Sequence, residues 1–154
     1  MAQIGVGLSR NPNSLSAVEE ALQGAYTHAE LVQVDWGLVF FTAPHLPQAE
    51  EIRSQLMAET GCRMISGCSG AGVLTNEGEI TGAPALAVML AHTPGLNPLA
   101  FAKYQELPDS ASVNQQLKET LERFHDDPLV FLFPDVYRNQ PFNFINTMNY
   151  VKTR

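Results

Sequence analysis

At 154 residues and 16.9 kDa the chain is the size of one domain, long enough to bury roughly 68–70% of its unfolded surface without disulfide or metal support. Apolar residues make up 45% and charged residues 16%, and the formal net charge is -7 with no basic cluster; disorder, nucleic-acid binding and attachment to anionic membranes are therefore poor readings. The longest apolar run, Ala85 to Ala91, is too short to span a bilayer. The opening MAQIGVGLSR lacks a secretory pattern, and two cysteines, Cys62 and Cys68, make neither a disulfide framework nor a zinc set. A cytoplasmic domain that needs no metal or cofactor is expected.

Gln3 to Ser9 alternates Ile4, Val6 and Leu8 and reads as a strand ending at the Asn11-Pro12-Asn13 turn cluster. A helix follows, with Val18, Ala21, Leu22, Ala25 and Ala29 on one face. Ser16 and Glu19 have capping-box spacing, and Asn13 or Ser14 could cap one turn earlier. Gly37 to Thr42 is a short apolar run, as expected of a strand covered on both faces, and Ala43-Pro44-His45 closes it. Pro47 to Thr60 predicts a second helix, with Ala49, Ile52 and Leu56 inward and Gly61 as its stop. Met64 to Cys68 reads as the third strand. Two strand-helix-strand units joined by short loops favour a parallel sheet with right-handed crossovers.

Past the third strand the pattern changes. Thr75 to Glu79 reads as a turn, Ala85 to Ala91 as a buried strand and His92 to Pro98 as a second turn. Leu99 to Gln105 alternates and is expected to pair antiparallel with the strand before it, giving a hairpin around residues 85–105. Ser112 and Gln115 open a third helix, with Val113, Leu117, Leu121 and Phe124 inward. Leu129 to Phe133 is another buried strand, and Asn143 to Val151 is weakly helical. The expected fold class is α/β, a mixed, mostly parallel sheet flanked by helices. The final stretch carries Phe142, Phe144 and Tyr150, an apolar end expected of a chain cut from a larger domain.

The densest chemical signal is Gly67-Cys68-Ser69-Gly70-Ala71-Gly72, directly after the third strand. Two readings stand beside each other. Consecutive backbone N–H groups in such a loop can converge on a carboxylate or phosphate, or the glycines serve only close packing in a tight turn. It is not a named phosphate motif: no P-loop pattern is present, and Gly5-Val6-Gly7 has Arg10 where a dinucleotide fingerprint needs its third glycine. Ser69 misses the hydrolase elbow because Ala71 replaces its second glycine. Surface placement accounts for His28, His45, His92 and His125, none of which has a partner at triad or ligand spacing. Cys68 is either an activated thiolate beside the loop or a small buried hydrophobe.

In an open α/β sheet, ligands bind at the carboxyl ends of the parallel strands. Ser9, Arg10, Thr42, Cys68, Ser69, Gly70, Gly72 and Asp135 stand at those ends. An anion nest with Arg10 suits a carboxylate and Asp135 suits an ammonium group, which together describe a free amino acid or similar zwitterion. The plain alternative is that Arg10 and Asp135 are ordinary solvated charges.

IGVGLS followed by the Ala-rich SLSAVEEALQGAYTHA, then GLVFFT, an Ile/Leu-patterned helix, ISGCSGAGVLTNEGEI and LVFLFPD resemble the N-terminal part of the FIST sensory domain. The Gly-Cys-Ser segment is the most specific of these, and the similarity runs from about Gln3 to Asp135. The resemblance implies a ligand-sensing module of signal transduction with amino acids as the proposed input. It also implies partners, namely the C-terminal FIST half or a signalling output partner. Ser69, Gly70 and Gly72 match the family segment, although no established binding residues are carried over. The expected function is non-catalytic small-molecule binding. An interaction domain without ligand, which predicts a homo-oligomer, and a Cys- or Ser-dependent enzyme are the alternatives.

Overall fold

The structure, a computed structural model, describes residues 1–96 and Pro98, with Gln115, Lys118, Glu119, Val130, Phe131 and Phe133 beyond them. The elements below belong to the compact unit Met1–Ala100. In chain order they are β1 (Gln3–Ser9), α1 (Ser14–Ala29), β2 (Trp36–Thr42), a 3-10 segment (Ala43–Gln48), α2 (Ala49–Thr60), β3 (Ile65–Gly70), β4 (Gly72–Thr75), β5 (Gly78–Thr81) and β6 (Leu86–His92).

Strands β1, β6, β2 and β3 form one sheet in that order. β6 runs antiparallel to both neighbours, and β2 and β3 are parallel. β1, β2 and β3 therefore point the same way, as the two strand-helix-strand units require, while β6 returns between β1 and β2. The fold class is mixed α/β as expected. The antiparallel partners of β6 are β1 and β2; the strand expected at 99–105 lies outside the described residues. Of the expected third helix, Gln115, Lys118 and Glu119 are helical. Val130, Phe131 and Phe133 do not lie in a strand, and the remainder of the expectations beyond residue 98 falls outside the described residues.

The helices cover one face of this sheet. Ala17, Val18, Ala21, Leu22 and Ala25 of α1 and Ile52 and Leu56 of α2 close over Val39, Phe41, Leu86, Val88 and Leu90. Period two along each strand sends the alternate residues to the other face. There Leu8, Phe40 and Ala87, with Ala85 just before β6, meet Val73 and Ile80 of the β4–β5 hairpin. The expected turn at Thr75 to Glu79 is the tip of that hairpin, whose short strands carry too few apolar residues to stand out in the sequence.

How closely α1 approaches the sheet depends on two glycines. A Cβ at Gly5 would lie 2.0 Å from the Ala25 carbonyl oxygen, and one at Gly7 would lie 1.8 Å from that of Ala21. The Gly5-Val6-Gly7 pair is thus a helix seat. Asn13 caps α1, its Oδ1 accepting from Leu15 N at 3.1 Å and Ser16 N at 3.0 Å, so the earlier of the two predicted caps is the one used. At the far end, Glu30 takes the left-handed conformation (φ 49), and Gln3 Nε2 donates to Ala29 O at 3.1 Å. α2 ends at Gly61 (φ 67), as the sequence predicts.

Opposite the carboxyl ends of β1 to β3, Asp35 ties the sheet together. Its carboxylate accepts from Thr93 N at 2.6 Å, lies 3.0 Å from His92 Nδ1 and accepts from Gln33 Nε2 at 2.9 Å. The Thr93 amide is the main influence holding the Asp35 carboxyl below the usual carboxylate range. Trp36 Nε1 donates to Thr93 Oγ1 at 2.9 Å across the same junction.

The helix seat is testable. Gly7→Ala places a methyl group against backbone and is expected to cost about 3 kcal/mol or more by urea unfolding, the upper end for overpacked sites. Gly24→Ala, whose Cβ would meet Gly7 Cα at 3.3 Å, should cost far less, since Ala gains about 1 kcal/mol of helix propensity over Gly. A Gly7→Ala protein as stable as the native chain would show that α1 does not rest on this contact.

Candidate functional site

Because β1, β2 and β3 share a direction, their carboxyl ends lie on one edge, and the structure brings Ser9, Arg10, Thr42, Ser69 and Gly70 to it. Register decides how close they come. Ser9 pairs with Leu86, Leu86 with Phe41, and Phe41 with Ser69, making one row across the sheet. Three strand spacings of about 4.8 Å separate Ser9 from Ser69 by about 14 Å. Ser9 and Arg10 therefore do not share a small ligand's contact point with Ser69. Thr42 and Gly70, by contrast, are direct neighbours. Asp135 lies outside the described residues.

Two of the hydroxyls on this edge are already engaged. Ser9 Oγ donates to Glu20 Oε2 and accepts from Asn11 N at 3.0 Å. The Ser9 and Asn11 hydrogen bonds hold the Glu20 carboxyl below its ordinary range. Thr42 is buried; its Oγ1 donates to Ala83 O at 2.9 Å and accepts from Ala85 N at 2.9 Å, while Thr42 N donates to Ala85 O at 3.0 Å. That triple bond set anchors the chain as it enters β6. Arg10 is exposed.

The glycine-rich segment differs from the expected loop. β3 extends to Gly70, so Gly67 to Gly70 pair with Val39 to Thr42 as a parallel ladder. Successive N–H groups of an extended strand point to opposite sides and cannot converge as a nest. Packing explains the glycines instead. A Cβ at Gly67 would fall 1.7 Å from Val39 O, and one at Gly72 would fall 2.6 Å from Thr81 Cγ2. The pattern ISGCSG misleads because its small residues are rare in strands, and only a close partner backbone makes them fit one.

β3 remains the outer strand of the sheet among the described residues, with Gly67, Cys68, Ser69 and Gly70 exposed. Alternate main-chain groups along it face away from β2. Ser69 shares the helix face with Phe41, and Cys68 shares the hairpin face with Phe40. Cys68 is a free, exposed thiol whose partial desolvation raises its pKa, the opposite of what an activated thiolate needs. Cys62 is also free; it is buried, and its Sγ donates to Asp35 O at 3.2 Å.

One pairing on this edge is invisible in the sequence. His45, expected at the surface, is fully buried, and its Nδ1 lies 2.9 Å from Ser14 Oγ, itself buried at the first turn of α1. His45 Nε2 has no hydrogen-bond partner among the described residues. If Nδ1 carried the proton, the Ser14 hydroxyl proton would lack an acceptor as well. The arrangement with fewer unpaired groups has Ser14 donating to Nδ1 and the proton on Nε2. Burial lowers the His45 pKa and keeps the ring neutral. Thirty-one positions separate the two residues, and only the crossing of α1 against the 3-10 segment joins them. Among the described residues, no group of three His, Cys, Asp or Glu side chains is placed to hold a metal ion, and no helix is long and apolar enough to cross a membrane.

Thr42→Val keeps the shape but strands the Ala85 amide, and it should cost about 1–3 kcal/mol in chemical unfolding; a change within error would mean water replaces the hydroxyl. His45 sets a pH dependence. Its folded pKa lies below the unfolded value of 6.5, so the unfolded chain binds the proton more readily. The stability His45 contributes is complete above about pH 6.5 and is lost as pH falls through the folded pKa. Melting from pH 7.5 down to 5 should show this loss in the native chain and a smaller one in His45→Phe. Identical profiles would remove His45 as the cause.

A search of characterised proteins gives no match. A family model does match: the FIST N domain aligns with residues 35–153, more than half of the chain, from the Asp35 junction onward. The match takes in β2, β3, the hairpin and β6, the elements that build the exposed edge. On that match the chain belongs to the FIST N domain family, sensory domains of signal transduction.

Proposed function

We propose that this chain is the small-molecule input module of a cytoplasmic signalling protein, binding an amino acid or a similar zwitterion or anion without chemically changing it. The observation that carries this reading is the exposed run Gly67 to Gly70 at the carboxyl end of a parallel strand pair. Main-chain groups facing away from β2 and the Ser69 hydroxyl are suited to the oxygens and nitrogen of such a ligand. Arg10 and Asp135 supply longer-range charge in this reading. The site is a strand edge in place of a nest, with Thr42 of β2, Cys68 of β3 and Gly72 of the hairpin shaping it.

Two observations support the non-catalytic part. The Cys68 pKa is raised, and the Ser14 hydroxyl paired with His45 is buried. Signalling then follows from population shift: a ligand that favours one arrangement of the β3 edge biases docking of the C-terminal FIST half or an output partner. A second reading, an interaction module without ligand, is favoured by two exposed apolar side chains, Leu46 of the 3-10 segment and Leu74 of β4.

Thermal unfolding against the common amino acids tests the first reading. A ligand at one hundred times its Kd adds about 2.7 kcal/mol and should raise Tm by about 5–10 °C. A panel at millimolar concentration that leaves Tm unchanged would overturn amino-acid sensing. Self-association by sedimentation together with an unchanged Tm would favour the interaction module.

A further inference from the structure

Buried polar groups are nearly always paired, so an exception calls for a partner. His45 Nε2 is such an exception: the residue is 0% exposed and the atom is unbonded among the described residues. The two imidazole nitrogens point in divergent directions. With Nδ1 taken by Ser14, Nε2 faces away from α1, within a segment that packs on β2, α2 and β3. Of the 3-10 segment, Ala43, Pro44, Leu46, Pro47 and Gln48 are exposed, and His45 is the one buried side chain.

We propose that the Nε2–H of His45 is a recognition donor for an oxygen of a small carboxylate ligand that enters beneath the 3-10 segment. Ser14 is the positioning residue that holds the required tautomer. The inference rests on the ligand-binding reading above and adds a buried side-chain donor to it. A carboxylate fits because it accepts hydrogen bonds without needing to donate one, and a charged acceptor strengthens the bond in a buried setting. Ser69, on the helix face of neighbouring β3, offers a second donor.

The test uses the full chain, labelled with nitrogen-15, with acetate, glycine and L-glutamate as probes. In the native protein a bound probe should move the His45 Nε2–H resonance and leave Nδ1 unprotonated. Ser14→Ala should bring in the second tautomer and weaken the probe. Two variants separate the ring nitrogens. The His45→Asn amide reaches the place of Nδ1 and keeps the Ser14 contact, while the His45→Gln amide reaches the place of Nε2. His45→Asn should weaken the probe about tenfold, the worth of one hydrogen bond, whereas His45→Gln should stay within about threefold of native. Should either variant fail to fold, the native Nε2–H resonance decides alone.

Equal affinity in native chain and His45→Asn, or a probe that binds without moving Nε2–H, would overturn the role of His45 and leave ligand binding standing. An Nε2–H that exchanges magnetisation with a buried water and is unmoved at probe saturation would mean a bound water only, and overturns it too. If no probe binds the native chain by any readout, the carboxylate-sensing reading falls and this inference falls with it.

Discussion

Ala21 and Ala25 present their main-chain carbonyls to Gly5 and Gly7 across a gap that no Cβ fits, and the position of α1 follows from that contact. Small residues on both sides let a helix lie directly on a strand, so its first turn arrives at the carboxyl edge of the sheet. Ser14 is in that turn. Its hydroxyl meets His45, and His45 in turn holds down the 3-10 segment between β2 and α2. A constraint on backbone spacing at β1 is thereby passed, by way of one buried hydrogen bond, to the segment beside β2 and β3.

Thr42 and Asp35 solve a related problem at opposite ends of β2. β6 is later in the chain than β2 and β3 yet occupies the place between β1 and β2, so its two ends must be fastened from outside the strand ladder. At its start, the Thr42 hydroxyl both donates to Ala83 O and accepts from Ala85 N. At its finish, the Asp35 carboxylate takes the Thr93 amide. Each junction satisfies main-chain groups that would otherwise be buried and unpaired, the kind of loss that costs more than the hydrogen bond itself is worth.

These fastenings leave β3 as the strand with the fewest obligations. Gly67 lets β2 approach, and Gly67 to Gly70 are exposed among the described residues. An input module needs a place where a ligand can alter the energy of one arrangement over another. In the proposed reading, the exposed edge of β3 is that place. ISGCSG lies within the residues that the FIST N domain matches, and it forms the outer strand of the sheet among the described residues.

Period and punctuation in the sequence determined the six main elements of the first ninety-two residues, because apolar spacing and caps such as Asn13 and Gly61 act over a few neighbours. Three parallel strand directions were also legible, since short loops around a helix leave a strand little choice. Tertiary structure alone decided that β6 enters between β1 and β2, that ISGCSG is extended, and that His45 is inside. Each of those outcomes depends on a partner far along the chain: Val39 O beside Gly67, Ala85 under Thr42, Ser14 against Nδ1. Local propensity read the glycines as a loop because it counts the cost of a glycine in a strand and cannot see the backbone that needs the space.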